Sequence, residues 1–414
     1  MHQLTAPRLC ARPAPLVAAL LLITLACAFS ACTNPLVSPP HCDPAFVPDP
    51  SLEVANGVAY TGIDTSVAAV RTTDGSQLWH ATVGGGASFA TLANGVLYVG
   101  SGANLDALRE SSGKLLWQFQ GQGSPAWING TNPIVAGGII YVTSTAAVYA
   151  VRESSGTLLW QDAAAGPTPA MLVLDNTTLY AGAPGSLAAL RGSDGKPLWK
   201  SQQNLSSFSV LGGEIYIYAD TAVIALRKSD GKPLWSFPLK GITSKTTVTP
   251  TAAGTVYINA LDTLYALRET DGKQLWRFPA SGFVTPLIVN NVLYTGSDDD
   301  HATALNATTG ALIWQSPETI DESMSIVDTS SGAIYIVGVD AKTRNHTSLA
   351  LKTSDGSVLW VSSSPVYAVP RLVTNGVVYF AASGGGYCSI PIAADVYAVR
   401  AHDGGDLWHF RLHE

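Results

Sequence analysis

Hydrophobic positions after residue 50 occur in short runs that turn-forming residues separate. Residues 139–142 and 148–152 are two such runs, and a polar break ending in Gly156 leads to a third, Leu158-Leu159-Trp160. Runs of four to six residues rich in β-branched and aromatic types, bounded by Gly, Ser, Asn and Asp, are typical of β-strands. No stretch after residue 32 keeps a helical period. The pattern predicts an all-β protein.

The same pattern returns nine times at intervals of 36 to 48 residues, and each copy ends in a tryptophan. Counted back from that tryptophan, position −4 is Gly and position −10 is Ala in every copy, whereas position −8 is Arg except at Asn306 and Lys352. A register kept this closely indicates a repeat architecture. The nine tryptophans are Trp79, Trp117, Trp160, Trp199, Trp235, Trp276, Trp314, Trp360 and Trp408.

Each repeat predicts four antiparallel strands, here called A to D, with the tryptophan on strand D. Asp-Gly pairs such as Asp74-Gly75 predict tight hairpins, because the turn needs a positive φ that Gly adopts at little cost. Four-stranded sheets repeated radially are the blades of a β-propeller. Nine ligand-stacking tryptophans would need nine equivalent ligands, so we interpret them as packing residues between blades. The expected fold is a β-propeller of eight to nine four-stranded blades.

The motif from Leu264 to Phe278 resembles the repeat of pyrroloquinoline-quinone-type β-propellers, and the resemblance covers about residues 51–411. That superfamily includes quinoprotein alcohol dehydrogenases and an outer-membrane assembly lipoprotein of Gram-negative bacteria. The resemblance implies the fold rather than a function, because one fold hosts many unrelated sites. Its members usually have eight blades, whereas nine complete units can be counted here, and both numbers remain open at this point.

The N-terminus is typical of an export signal. Arg8 and Arg12 precede an apolar run from Leu16 to Phe29, which is short for a membrane span. The run ends before Cys32 in a sequence that resembles a lipoprotein cleavage box, which predicts a lipidated Cys32 in an extracytoplasmic, membrane-anchored protein. Ordinary signal-peptidase cleavage and secretion is the alternative. Residues 1–32 are thus expected to be the signal, 33–50 a Pro-rich tether and 51–414 the propeller domain.

Charge argues against nucleic acid as a partner. The formal net charge is −7, and it becomes −9 when the two arginines of the signal are removed. Only 13% of the residues are charged and no basic cluster occurs. We expect a protein or another cell-envelope polymer as the partner.

Motifs of catalysis are missing from the sequence. It has no Gly-x-Ser-x-Gly elbow, no His-Glu-x-x-His, no phosphate loop and no Cys-x-x-Cys-His haem attachment. The resemblance implies a vicinal disulfide and a calcium-bound carboxylate in quinoprotein dehydrogenases, yet no two cysteines here are adjacent. We therefore expect no cofactor, with pyrroloquinoline quinone or calcium in the central channel as the alternative.

Loop length indicates which face of the propeller carries function. The C–D turn keeps a constant length, whereas the B–C turns and the D-to-A connections vary, and variable loops on a rigid scaffold usually carry binding. Candidate binding residues on that face are Trp127, which equally could anchor its own loop, and Arg344 and His346 of a charged insertion that could simply be solvated. Tyr387, in the unit-nine insertion, is the fourth candidate.

A metal site is a further candidate on the same face. Asp298, Asp299, Asp300 and His301 fall in the B–C turn of unit seven, and carboxylate oxygens and imidazole are metal ligands. Single acids in similar turns of other units favour the alternative that these are ordinary turn formers.

Cysteine count predicts one disulfide. Cys10 and Cys27 leave with the signal and Cys32 would carry lipid, so Cys42 and Cys388 remain as a pair in an oxidising compartment. Both should lie on the loop face where the first and last units meet, and the bond would close the ring. Two free thiols, or a weak metal pair with His41, are the alternatives.

Two classes of function follow. The first is a non-catalytic, membrane-tethered scaffold that binds through its B–C and D–A loop face. The second is an extracytoplasmic oxidoreductase or sensor that uses a quinone or metal in the central channel. The missing cofactor residues favour the first.

Overall fold

The structure is a computed structural model that describes residues 51–413 except 64, 86, 122–131, 145–146, 163–170, 204, 220, 240–246, 251–253, 261, 281–285, 297–300, 322–331, 341–345, 364–367 and 384–392. The chain divides into two compact units, Met1–Asp43 and Pro44–Glu414, and every described residue belongs to the second. Within these ranges no helix is long and apolar enough to cross a membrane.

Among the described residues, thirty-five β-strands form nine consecutive blades. Blades 1 to 3 comprise β1 (Ser51–Ala55), β2 (Val58–Ile63), β3 (Ser66–Arg71), β4 (Gln77–Thr82), β5 (Ala87–Ala93), β6 (Val96–Ser101), β7 (Asn104–Arg109), β8 (Leu115–Gln120), β9 (Ile134–Ala136), β10 (Ile139–Thr143), β11 (Val148–Arg152) and β12 (Leu158–Asp162). Blades 4 to 6 comprise β13 (Met171–Asp175), β14 (Thr178–Ala183), β15 (Ser186–Arg191), β16 (Pro197–Gln202), β17 (Ser207–Leu211), β18 (Glu214–Ala219), β19 (Ala222–Arg227), β20 (Pro233–Pro238), β21 (Thr247–Pro250), β22 (Thr255–Ala260), β23 (Thr263–Arg268) and β24 (Gln274–Pro279). Blades 7 to 9 comprise β25 (Leu287–Val289), β26 (Val292–Gly296), β27 (His301–Asn306), β28 (Leu312–Asp321), β29 (Ala333–Asp340), β30 (His346–Lys352), β31 (Val358–Ser363), β32 (Val369–Thr374), β33 (Val377–Ser383), β34 (Ala393–Arg400) and β35 (Asp406–His413).

The structure settles the number of blades at nine. Seven of the sheets have four strands in simple sequence order, and one seven-stranded sheet joins blades 7 and 8. Strand β28 causes this join, because its first part pairs with β27 as strand D of blade 7 while Ile320 and Asp321 pair with β29 as strand A of blade 8. Blades 7 and 8 therefore share one continuous strand, and the repeat pattern did not predict this join.

Two kinds of turn connect the strands. The Asp-Gly pairs do not form two-residue hairpins: in blade 1, Arg71 N donates to Ser76 O across a four-residue loop, and Gly75 lies at its end with φ +71°. Two-residue turns lie instead between strands A and B, as at Asn56-Gly57, where both residues have positive φ. The predicted need for Gly at position −4 is confirmed, but the turn it serves is longer.

Strands C and D share one register in all nine blades. The alanine at position −10 is buried and lies directly opposite the tryptophan of its own blade, as Ala69 does opposite Trp79, and a β-bulge follows the pair. A bulge strengthens the local twist, so its repetition gives each blade the same shape. The other pairs are Ala107–Trp117, Ala150–Trp160, Ala189–Trp199, Ala225–Trp235, Ala266–Trp276, Ala304–Trp314, Ala350–Trp360 and Ala398–Trp408.

Each tryptophan fastens its blade to the next one. Trp79 Nε1 donates to Glu110 O of blade 2 (2.7 Å), its ring lies 6.0 Å from that of Tyr60, and its indole lies against Gly113. The same indole-to-carbonyl bond recurs eight times. The remaining acceptors are the carbonyls of Glu153, Gly192, Lys228, Glu269, Ala307, Thr353, Ala401 and Thr72, in chain order of the tryptophans.

The last blade closes the ring through the same contact. Trp408 Nε1 donates to Thr72 O of blade 1 (2.7 Å), and its indole lies against Gly75. Blades 1 and 9 are each built from four consecutive strands, so no strand is exchanged between the ends of the chain. The ninth junction therefore has the same indole–carbonyl bond and indole–glycine packing as the other eight.

Candidate functional site

A cavity of about 320 Å³ lies between blades 8 and 9, and we call it the blade 8–9 pocket. Ser348, Trp360 and Ser362 line it from blade 8. Blade 9 contributes Phe380, Tyr397, Val399, Leu407 and His409. Side chains alternate between the two faces of a strand, and these five lie on the face toward blade 8. The volume is at the lower end of the range for ligand sites, and the lining is aromatic with a few polar groups.

Comparison with other blade junctions explains why the pocket exists. The residue two positions after the tryptophan faces the next blade, and there Phe119 contacts Tyr149 with ring centroids 5.5 Å apart. Phe237 contacts Tyr265 in the same way at 5.4 Å, again with the rings inclined at 62°. Tyr397 is the equivalent tyrosine of blade 9, but the position facing it is occupied by Ser362.

Tyr397 stacks instead on His409 of its own blade. The two ring centroids are 4.3 Å apart and the planes are inclined by 3°. Burial, and then the charge of the nearby Asp395, raise the pKa of the Tyr397 phenol, so its hydroxyl stays a hydrogen-bond donor at neutral pH. The stacked pair forms one flat aromatic wall of the pocket.

Asp395 holds this wall in place. Its carboxylate is fully buried, His409 Nε2 donates to Oδ1 (2.7 Å), and Arg411 donates to Oδ1 through Nε (2.7 Å) and to Oδ2 (3.1 Å). Hydrogen bonds to Asp395 and its charge raise the pKa of the Arg411 guanidinium. A buried carboxylate is tolerated only when it is paired in this way, so His409 and Arg411 are both held in place by it.

The pocket has groups suited to binding rather than to covalent chemistry. Two serines and one imidazole line it, but within the described part of the chain His409 makes no hydrogen bond to Ser348 or Ser362. A nucleophilic serine needs a base within hydrogen-bond reach. Its aromatic walls and paired charges instead suit an uncharged, flat group.

Sequence reasoning missed this pocket. Two positions of the repeat carried the signal. One is the residue eleven before the tryptophan of a blade, and the other is the residue two after the tryptophan of the preceding blade. The first position is tyrosine in blades 3, 6 and 9, and of these three tyrosines only Tyr397 lacks a phenylalanine at the second position. The mismatch becomes visible when a position of one repeat is compared with the position that faces it in the next repeat, rather than with the same position of the other repeats.

The predicted metal ligands are only partly described. Asp298, Asp299 and Asp300 lie outside the described residues, and His301 is the first residue of β27, where its Nδ1 donates to Ser316 O (2.7 Å). Among described residues, no three His, Cys, Asp or Glu side chains come together as a metal site. The four-residue site stays a prediction.

The remaining predicted residues lie mostly outside the described ranges. Trp127, Arg344 and Tyr387 of the binding face do so, as do Cys32, Cys42 and Cys388. His346 is the first residue of β30, and its backbone pairs with Val339. Lipidation, the disulfide and the loop-face contacts therefore stay predictions.

The absence of a quinone cofactor stays a prediction from the sequence. It rests on the vicinal disulfide that the resemblance implies for quinoprotein dehydrogenases, which requires adjacent cysteines, whereas the five cysteines of this chain are all separated in sequence. We derive no chemistry through this group.

Comparison with known proteins agrees with the repeat fold. A family sequence profile described as outer membrane protein assembly factor BamB matches residues 64–209 and 219–363. These ranges make up more than half of the chain. The chain therefore belongs to this family of propellers, which are built from quinoprotein-type repeats. A search of curated proteins finds no significant match.

Solved structures share the fold at low sequence identity. BamB from Moraxella catarrhalis is 16% identical, with a TM-score of 0.51, and the match covers 80% of this chain and 93% of that one. A quinohemoprotein alcohol dehydrogenase from Comamonas testosteroni is 16% identical, with a TM-score of 0.50, covering 71% and 70%. Sqt1 from Saccharomyces cerevisiae is 12% identical, with a TM-score of 0.53, covering 74% and 94%. At these identities the likeness shows the fold alone.

Proposed function

We propose that this chain is a protein-binding scaffold of the bacterial cell envelope, which is tethered to a membrane through lipidated Cys32 and has no catalytic activity of its own. The observation that supports it best is the family match, because the matched profile takes its description from a factor that assembles outer membrane proteins. Assembly of membrane proteins requires binding of other polypeptides rather than turnover of a small substrate.

The ring supports a scaffold role physically. All nine junctions repeat one indole–carbonyl bond, and the last of them closes the chain on itself through Trp408 and Thr72. Such a ring keeps the ends of its strands at fixed mutual positions, and preorganised surfaces lose less conformational entropy when a partner binds. The B–C and D–A loops, which vary in length, are the part of the ring that we expect to contact the partner.

Site-specific photo-crosslinking tests this function. A photoreactive residue is placed at Arg344 or at Tyr387 on the loop face, and the matched control places it at Lys273 in a C–D turn, where the side chain is exposed. We expect Arg344 or Tyr387 to crosslink to an extracytoplasmic or membrane protein that mass spectrometry identifies, and Lys273 not to. A chain that fractionates with the cytosol, or crosslinks equally from all three positions, would refute the proposal.

A further inference from the structure

The blade 8–9 pocket lies where two other junctions of this ring contain a phenylalanine. Phe119 and Phe237 each extend from the strand D of one blade onto a tyrosine of the next. Tyr397 is that tyrosine in blade 9, and Ser362 occupies the position of the missing phenylalanine. The pocket thus lies where blade 8 has Ser362, and not a phenylalanine, at the position that faces Tyr397.

We propose that the blade 8–9 pocket binds the phenylalanine or tyrosine side chain of an extended segment of a partner protein. Its volume of about 320 Å³ exceeds what a phenyl ring needs, since cavities of about 150 Å³ bind benzene. The Tyr397–His409 stack offers a flat face for an offset-stacked or edge-on ring. This inference rests on the proposed function only in taking the partner to be a protein.

Electrostatics disfavours an anionic ligand. His409 and Arg411, the donors beside the flat wall, both donate to the buried carboxylate of Asp395. The described lining contains no Lys or Arg, and Asp406 adds a carboxylate to it, so an anion would be repelled there whereas an uncharged ring would not. Ser348 and Ser362 line the pocket, so their hydroxyls can donate a hydrogen bond to a phenol or accept one from it.

The edges beside the pocket favour a polypeptide over a free small molecule. β31 is the last strand of its sheet and β35 is the last strand of the neighbouring one, so each leaves one edge without a strand among the described residues. An extended segment that adds to such an edge gains main-chain hydrogen bonds, while pockets for its side chains supply specificity. The pocket lies between these two strands, where an added segment would place a side chain.

The test uses the purified chain and a short capped Ser/Thr peptide with a central 4-fluorophenylalanine, whose binding is followed by fluorine NMR. Matched peptides carry leucine or alanine at the centre and compete for the site. We expect saturable binding, and competition by the alanine peptide weaker by roughly tenfold to a hundredfold, as burial of an aromatic side chain implies. Equal competition by the alanine peptide overturns the proposal.

Variants of the pocket decide where the peptide binds. Ser362→Phe supplies the ring that the other junctions have and should abolish binding, whereas Ser362→Ala leaves the pocket open and should retain it. Ser201→Phe, at the equivalent position of blade 4, faces Ile224 instead of a tyrosine and should bind as the unchanged chain does. If Ser362→Phe does not fold, Tyr397→Leu removes the stacking face and should weaken binding at least about fivefold.

The outcomes separate this proposal from the proposed function. Peptide binding that persists in Ser362→Phe and Tyr397→Leu refutes the pocket as the aromatic site, even when Arg344 and Tyr387 still crosslink to a membrane protein. If Arg344 and Tyr387 do not crosslink to a partner but the peptide still binds in the pocket, the scaffold function is refuted. The inference that the pocket binds an aromatic side chain then still holds.

Discussion

The contact between a tryptophan and the turn glycine of the next blade can be tested with Gly113→Ala. Gly113 has φ +66°, and a Cβ added there would lie 2.5 Å from Cε3 of Trp79. Gly137 is the matched control, because it also has positive φ (+59°) but an added Cβ would meet nothing within 4 Å. Alanine at Gly137 therefore adds backbone strain alone, and alanine at Gly113 adds strain and a clash.

The expected magnitudes follow from these two components. Left-handed backbone costs an L-residue about 1–2 kcal/mol, and both variants incur this. At Gly113 the indole of Trp79 must also move, which costs about 1–3 kcal/mol for overpacking. That movement strains the 2.7 Å bond from Trp79 Nε1 to Glu110 O, which contributes about 1 kcal/mol. We expect a loss of about 1–2 kcal/mol for Gly137→Ala and about 3–6 kcal/mol for Gly113→Ala.

Urea unfolding measures both losses. Unfolding is followed by tryptophan fluorescence and by circular dichroism, and the free energies are compared by linear extrapolation. Trp79 fluorescence should shift to longer wavelength in folded Gly113→Ala but not in Gly137→Ala. Equal destabilisation of the two variants would show that the indole is not held against the glycine, and the account of the blade junctions given above would be wrong.

Four further predictions follow from the ring and from the N-terminal sequence. Trp408→Phe removes the bond to Thr72 O that closes the ring and should destabilise the chain by about 1–3 kcal/mol in the same urea assay; no loss would contradict closure through this contact. Cys32→Ser should be released from membranes or left unprocessed, whereas unchanged membrane association at the same mature mass argues against lipidation. Thiol titration of the denatured mature protein should find Cys42 and Cys388 protected, and two free thiols without reductant exclude their disulfide. Calorimetric titration with pyrroloquinoline quinone and calcium should show no binding, and stoichiometric binding would instead favour the oxidoreductase alternative.

The repeat register predicted most of the fold. Each unit carries the residues that its own blade and the next one require, so nine copies of Gly, Ala and Trp at fixed spacing were enough for strands, sheet order and packing role. The join between blades 7 and 8 was not predictable in this way, because the repeat does not indicate that Ile320 and Asp321 belong to a strand that begins in blade 7. A strand ends where the neighbouring strand stops pairing with it. The sequence pattern of one repeat does not include the neighbouring strand of another blade.

The candidate site was harder to predict for a related reason. Trp-to-Gly contacts use positions that never vary, whereas the position two after the tryptophan varies from one repeat to the next. It is Phe119 in blade 2, Asp162 in blade 3 and Ser362 in blade 8. The effect of such a residue depends on the blade it faces, and Ser362 lines a cavity because it faces Tyr397 without filling the space that a phenylalanine would occupy.

Differences between repeats, rather than the repeat itself, therefore indicate where this ring acquired a site. The nine indole–carbonyl contacts that hold the blades together are of one kind, and a feature present at every junction cannot single out one binding site. The Tyr397–His409 wall and its Asp395–Arg411 support occur together in blade 9, beside the one tyrosine without a facing phenylalanine. The stability of the ring depends on the invariant positions. At the junction of blades 8 and 9, Trp360 still donates to Ala401 O (2.9 Å). The variable positions of these two blades could therefore form a pocket without weakening the junction.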